Sequence, residues 1–134
     1  MNHKPFIRIG DVMSSNVKTI DRMANIQDAI ELLRESKVSS LVVERHDESD
    51  ELGVVTIRDI AREVVAKEKP IDRTGVYEVM TKPILTLSAE MNIKYAVRLL
   101  NRFGISRAVV IDQSRNPIGI VTLRDMVLGY DEHS

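Results

Sequence analysis

Threonine, arginine and aspartate recur at one spacing in two places in this 134-residue chain. Gly53-Val54-Val55-Thr56-Ile57-Arg58-Asp59-Ile60 returns as Gly119-Ile120-Val121-Thr122-Leu123-Arg124-Asp125-Met126. In each copy an aliphatic run ends at the threonine and a new apolar pattern starts after it, as expected of a strand turning directly into a helix. Thr56 and Thr122 stand at the N-cap, and Asp59 and Asp125, three residues on, complete a capping box. Capping alone would account for these four residues. It does not account for Arg58 and Arg124, which lie in the first turn, where the helix dipole disfavours a cation. An arginine there suggests an anion to be answered. Free N–H groups at a helix start and an arginine fork both suit phosphate. A neighbouring carboxylate can accept hydrogen bonds from a sugar diol. The doubled Thr-x-Arg-Asp reads as a nucleotide holder, with plain capping as the alternative.

The elements that position these residues also occur twice. The stretch from Pro5 to Met13 is an arm leading into a short helical turn. Val17 to Ile20 is a brief extended segment. Asn25 caps a helix with Ile26, Ala29, Ile30, Leu32 and Leu33 at helical spacing, ending near Ser36. Ser40–Glu44 is a strand, 45–51 a polar and mostly acidic turn, Leu52–Val55 the returning strand, and Ile57 to about Ala66 a second helix. Pro70 to Gly75 reads as a linker. The order then repeats, with Ile84–Leu87, a helix capped by Asn92, Arg107–Ile111, Ile118–Val121, and a last helix from Thr122 ending near Gly129. An offset of 67 carries Met13 to Met80, Thr19 to Thr86, Asn25 to Asn92, Ala29 to Ala96 and Ser39 to Ser106. After the turn the offset is 66, because the second turn is one residue shorter. The division is 1–67 for the first repeat with its arm, 68–77 for the linker and 78–134 for the second repeat. The fold class is α/β (α+β), two β-α-β-β-α repeats. Each is expected to bury its open sheet face against the other about a pseudo-two-fold axis.

Composition narrows the function. A hydrophobic share of 43% with 29% charged residues is that of a globular domain with a core. A net charge of -1 provides no field for nucleic acid or anionic lipid, and aromatics at 4% make a base-stacking platform an unsuitable reading. The lack of cysteine excludes disulfides and thiolate metal sites. His3, His46 and His133 are scattered, which leaves no metal site; the acidic run Asp47–Glu51 reads as a solvated turn. No membrane span and no leader peptide are read, so a cytoplasmic protein is expected. No nucleophile–base pair or catalytic carboxylate set stands at readable spacing, so the chain is not read as an enzyme.

The order of elements and several sequence marks resemble the CBS domain (the cystathionine β-synthase-type regulatory repeat), here as a stand-alone tandem pair or Bateman module. The marks are Val12-Met13 and Val79-Met80, Val38-Ser39-Ser40-Leu41-Val42-Val43 and Gly104-Ile105-Ser106-Arg107-Ala108-Val109-Val110, and the two Gly-x-x-Thr-x-x-Asp endings. Together they cover about 11–66 and 78–130. The chain departs in having Val42 and Val109 where proline is frequent, and Lys37 where glycine is frequent.

The resemblance implies adenosyl ligands (AMP, ADP, ATP, S-adenosylmethionine or NAD) held reversibly in clefts between the repeats, with no prosthetic group. It implies Asp59 and Asp125 on ribose hydroxyls, and Thr56 and Thr122 on the ribose or first phosphate. Val38 and Ser39 would flank the base in one repeat, Ile105 and Ser106 in the other. Backbone at Lys18 and Leu85 would read the adenine edge, each cleft joining the ending of one repeat to the strand entry of the other. Arg107 has Ser40 as its counterpart, so the cleft with Thr122, Arg124, Asp125 and Arg107 has two arginines and that with Thr56, Arg58 and Asp59 has one. The second is expected to hold phosphates more tightly. The implied assembly is a homodimer, a four-repeat disc formed through the apolar faces of the Ile57–Ala66 and Leu123–Leu128 helices. It would signal to an unknown target protein or to its own oligomer. The alternative is a ligand-free structural or dimerisation module.

Overall fold

The computed structural model describes residues 6–82 and 84–133. The elements in order are α1 (Ile9–Val12), β1 (Thr19–Ile20), α2 (Ile26–Ser36), β2 (Ser40–Val43), β3 (Gly53–Thr56) and α3 (Ile57–Ile60), which continues as a π-helical turn over Ala61–Val65. A 3₁₀ turn (Val76–Glu78) follows, then β4 (Thr86–Ser88), α4 (Ile93–Phe103), β5 (Arg107–Ile111), β6 (Pro117–Thr122) and α5 (Leu123–His133). The class is mixed α and β, with two three-stranded sheets ordered β1-β2-β3 and β4-β5-β6. In each sheet the first pair is parallel and the second antiparallel.

The helices form where apolar spacing and capping agree. Asn25 accepts the Asp28 N–H at 2.8 Å, and Asn92 accepts the Lys94 N–H at 3.0 Å. α2 buries Ile26, Ala29 and Leu33; α4 buries the matching Ile93, Ala96 and Leu100. Both helices end in a left-handed residue, which is Gly104 (φ 64) in one and Lys37 (φ 55) in the other. Glycine adopts that conformation freely and lysine does not.

The chain divides into two compact units that are not its two repeats. Lys18–Ile84 forms one, and the described parts of Met1–Val17 and Leu85–Ser134 form the other. Each repeat's lead-in segment is therefore in the unit built on the other repeat. The arm, assigned by sequence position to the first repeat, bonds to the second, with Ile9 N–H to Met91 C=O and Gly10 N–H to Ala89 C=O at 2.9 Å. Ser14 and Ile120 exchange two N–H···O bonds of 2.9 Å beside β6. In the Lys18–Ile84 unit, Val54 and Thr81 exchange the equivalent pair at 3.0 and 2.8 Å beside β3. The segment read as a linker is built into the same unit. Thr74 and Ile71 carbonyls accept the Ile26 and Gln27 N–H groups, and Thr74 is buried.

This exchange explains the glycine that opens each Gly-x-x-Thr-x-x-Asp ending. A Cβ on Gly53 would lie 3.1 Å from the Thr81 carbonyl and 3.2 Å from Met80 Sδ; on Gly119 it would lie 2.8 Å from the Ser14 carbonyl and 2.6 Å from Met13 Sδ. The Val-Met marks and the glycines are thus two sides of one contact, made once in each unit. Each unit has its own core. One gathers Leu41, Val43, Val55, Ile60 and Val64 with Val76 and Val79 of the second lead-in; the other gathers Ala108, Val110, Val121 and Met126 with Ile7 and Ile9 of the first.

α5 corrects the expected stop at Gly129, because it runs on to His133. Gly129 is there for proximity: a Cβ on it would lie 2.2 Å from Val12 Cγ1, so α1 and α5 meet at this glycine. The π turn after α3 also departs from the single helix expected over 57–66. Ala66 N–H bonds to Ala61 C=O, and Lys69 N–H to Val64 C=O, five residues back.

Candidate functional site

Each strand-to-helix junction is built in the same way. Thr56 and Thr122 are the last residues of β3 and β6, paired across the ladder with Ser40 and Arg107. The carbonyl of Ser39 accepts the Ile57 N–H at 3.0 Å, and that of Ser106 accepts the Leu123 N–H at 2.9 Å, so strand entry and helix start are tied together. Thr56 Oγ1 accepts the Asp59 N–H at 3.0 Å, and Asp59 Oδ2 accepts the Thr56 N–H at 3.1 Å. Thr122 and Asp125 make the same reciprocal bonds, both 3.0 Å. The capping box is real in both copies. It engages one oxygen of each carboxylate and the acceptor side of each hydroxyl, and leaves the second oxygen, Oδ1, for other partners.

The two copies differ at that second oxygen. Asp59 is buried (8% exposed), and its Oδ1 accepts from Arg62 Nη2 at 3.1 Å. Arg62 Nε also donates to Glu63 at 3.2 Å, and Lys67 donates to Glu63 at 2.7 Å. These two cations, Lys67 first, hold the Glu63 carboxyl below its ordinary range. Asp125 is half-buried, and Leu128 and Gly129 stand at the positions of Arg62 and Glu63. The sequence reading missed Arg62. The signal was available in the repeat register, in the contrast one turn past the aspartate between Arg62 and Leu128.

Arg58 and Arg124 are exposed in the first helical turn, and Arg107 is half-buried opposite Thr122. Among the described residues none of the three makes a hydrogen bond or ion pair through its side chain, so all three cations are available to an anion. The strand-entry residues are engaged through their backbone. Lys18 C=O accepts the Val42 N–H at 2.9 Å, and Leu85 C=O accepts the Val109 N–H at 3.1 Å. Val38 is half-buried; Ser39, Ile105 and Ser106 are exposed. One unit holds Lys18, Val38, Ser39, Thr56, Arg58 and Asp59; the other holds Leu85, Ile105, Ser106, Arg107, Thr122, Arg124 and Asp125. Among the described residues no three His, Cys, Asp or Glu side chains gather as a metal site, and no helix is long and apolar enough to cross a membrane. His3 lies outside the described residues.

The sequence model of the CBS domain matches residues 9–66 and 76–131. The chain belongs to the CBS domain family. Its fold is that of solved CBS proteins. It is similar to a hexameric CBS-CP12 protein from bloom-forming cyanobacteria (34% identity, TM-score 0.85, covering 93% of this chain and 72% of that one). It is also similar to a CBS domain protein of unknown function from Thermoplasma acidophilum (29%, TM-score 0.77, 92% and 68%). A third similar structure is a CBS domain pair in complex with 5′-methylthioadenosine and S-adenosyl-L-methionine (25%, TM-score 0.76, 92% and 98%). Among curated relatives, an uncharacterised protein of Methanopyrus kandleri is 27% identical over 90% of this chain, which spans 61% of that protein. An L-aspartate semialdehyde sulfurtransferase of Methanosarcina acetivorans is 34% identical over 85% of this chain, which spans 22% of that enzyme.

Proposed function

We propose that this CBS pair is a regulatory sensor that binds an adenosine-containing small molecule and passes the bound state to a partner protein or to its own oligomer. The carrying observation is the doubled junction. A capped carboxylate, a threonine hydroxyl and an arginine without a side-chain partner among the described residues stand at a strand-to-helix turn, twice. The aspartates take ribose hydroxyls, the threonines the ribose or first phosphate, and Arg58, Arg124 and Arg107 the phosphates. Val38, Ser39, Ile105 and Ser106 flank the base, and backbone at Lys18 and Leu85 reads its edge. The similar pair bound to methylthioadenosine and S-adenosylmethionine supports the ligand class. AMP, ADP, ATP, NAD and S-adenosylmethionine share the adenosine that these groups address. The Asp125 site is the tighter for phosphates, because Arg107 stands opposite Thr122 where Ser40 stands opposite Thr56.

The chain works without catalysis, in the cytoplasm, as a homodimer. Exposed Ile57 and Val65 on one helix, and Val127, Leu128 and Tyr130 on the other, supply apolar surface for self-association. Differential affinity for two arrangements of the pair is the means of signalling. A second reading, a ligand-free structural module, is favoured by one observation: the Thr and Asp side chains already satisfy each other's backbone.

Isothermal titration of the ligand-stripped protein with the five adenosyl compounds separates the readings. One compound is expected to bind saturably and to raise the melting temperature, since a hundredfold excess over Kd stabilises by about 2.7 kcal/mol. Silence across the panel would leave the structural module.

A further inference from the structure

Asp59 and Asp125 present the same backbone and the same Oδ2 bond, and differ in what occupies Oδ1. At Asp59 the guanidinium of Arg62 occupies it at 3.1 Å. Arg62 is itself steadied, its Nε on Glu63 and Glu63 in turn on Lys67. At Asp125 the matching residue is Leu128, and among the described residues Oδ1 has no hydrogen-bond or ion-pair partner. Helix geometry parts at the same place. The Ala61–Val65 turn that carries Arg62 is π-helical, whereas α5 is α-helical from Leu123 to His133.

We propose that Arg62 is an internal competitor for the ribose-binding carboxylate of Asp59: it fills the oxygen that sugar hydroxyls need, and so holds the first-repeat site in a low-affinity state while Asp125 stays open. The inference rests on the reading of both aspartates as ribose acceptors. An open carboxylate exchanges water for a sugar hydroxyl. Asp59 must first give up its ion pair with a guanidinium, whereas the hydroxyl that replaces it brings a hydrogen bond to the carboxylate but no opposite charge. Arg62 is 57% exposed, so solvent screens the pair and moderates the effect to about two- to fivefold in affinity. The competition is specific to the diol. It acts against the ordinary electrostatics of the site, where an added cation favours a phosphate-bearing ligand.

The test uses the full chain with Asp125→Ala to silence the second site, titrated with AMP and, in parallel, S-adenosylmethionine. Adding Arg62→Gln is expected to tighten AMP by about two- to fivefold, although a cation has been removed. The gain should vanish for 2′,3′-dideoxy-AMP, which lacks the hydroxyls. In the otherwise natural chain, Leu128→Arg is expected to weaken AMP by the same factor. If AMP binds the natural chain but Arg62→Gln brings no gain, or the same gain with the dideoxy compound, Arg62 is not a competitor and the nucleotide reading stands. If neither compound binds any variant, the nucleotide reading falls and this inference falls with it. Circular dichroism on each variant separates lost binding from lost fold; should the double variant unfold, the Leu128→Arg chain decides alone.

Discussion

The two copies of the junction have one backbone and two charge patterns. Around Asp59 the carboxylate's charge is paired, in the chain Asp59, Arg62, Glu63 and Lys67, and Arg58 stands without a partner among the described residues. Around Asp125, Leu128 stands at the position of Arg62, and Arg107 and Arg124 are without partners among the described residues. The lesson is that a repeated motif conserves the scaffold more strictly than the site. The capping box, the serine carbonyl on the first helical N–H, and the glycine under the lead-in segment recur because the backbone requires them. The second carboxylate oxygen carries no structural duty, and it is there that the copies diverge.

The comparison can be pressed first at the glycines. Gly119→Ala is expected to cost about 2 kcal/mol in chemical denaturation, because its Cβ would meet a backbone carbonyl at 2.8 Å. Gly53→Ala should cost about half that (roughly 1 kcal/mol), since its nearest backbone oxygen is 3.1 Å away. Equal losses would mean that the lead-in segments do not press unequally on the two sheets. The helix ends give a smaller effect of opposite sign in the two copies. Lys37→Gly should stabilise by about 1 kcal/mol by relieving a left-handed lysine. Gly104→Ala should destabilise by about 1 kcal/mol through backbone strain alone, because no atom lies within 4 Å of its added Cβ. A neutral Lys37→Gly would show that the side chain makes contacts that offset its backbone.

The smallest effect concerns acid. Lys82 donates to Asp50 and, with the backbone bonds from His46, holds its carboxyl below the ordinary aspartate range. The unfolded chain therefore takes up this proton first. The stability the pair supplies is complete above the unfolded value, at about pH 4, and is lost as pH falls below it. Lys82→Met should flatten the acid limb of a stability–pH curve by lowering its neutral plateau slightly, and change little at low pH, where the pair's contribution is already lost. Ser15 and Asn116 stand at the matching positions of the other copy, so Ser15→Met should leave that limb alone. An unchanged limb in Lys82→Met would remove the ion pair from the account.

Much of this was legible in the sequence, for physical reasons. Asn25 and Asn92 announced their helices by cap chemistry, and the aliphatic runs announced β2, β3, β5 and β6. The doubled Thr-x-x-Asp announced the junctions. Three features were not legible. Chain order assigned the arm to the nearer repeat, whereas backbone bonds from Ile9, Gly10 and Ser14 place it with the other. A glycine near a helix end looks like a stop, but Gly129 is a contact with Val12 inside a longer helix. The π turn leaves the apolar spacing almost unaltered, so periodicity gave no sign of it or of the ion pair it carries. Arg62 stands where the copies differ, so agreement between the repeats does not mark it and only the contrast with Leu128 does.

The claim that the copies are unequal is tested most directly by paired titration of AMP into ligand-stripped Asp59→Ala and Asp125→Ala proteins. The account predicts that Asp59→Ala retains the affinity of the natural chain within about twofold, while Asp125→Ala loses at least about tenfold, the loss of a hydrogen bond to a charged group. Equal affinities in the two variants would contradict it.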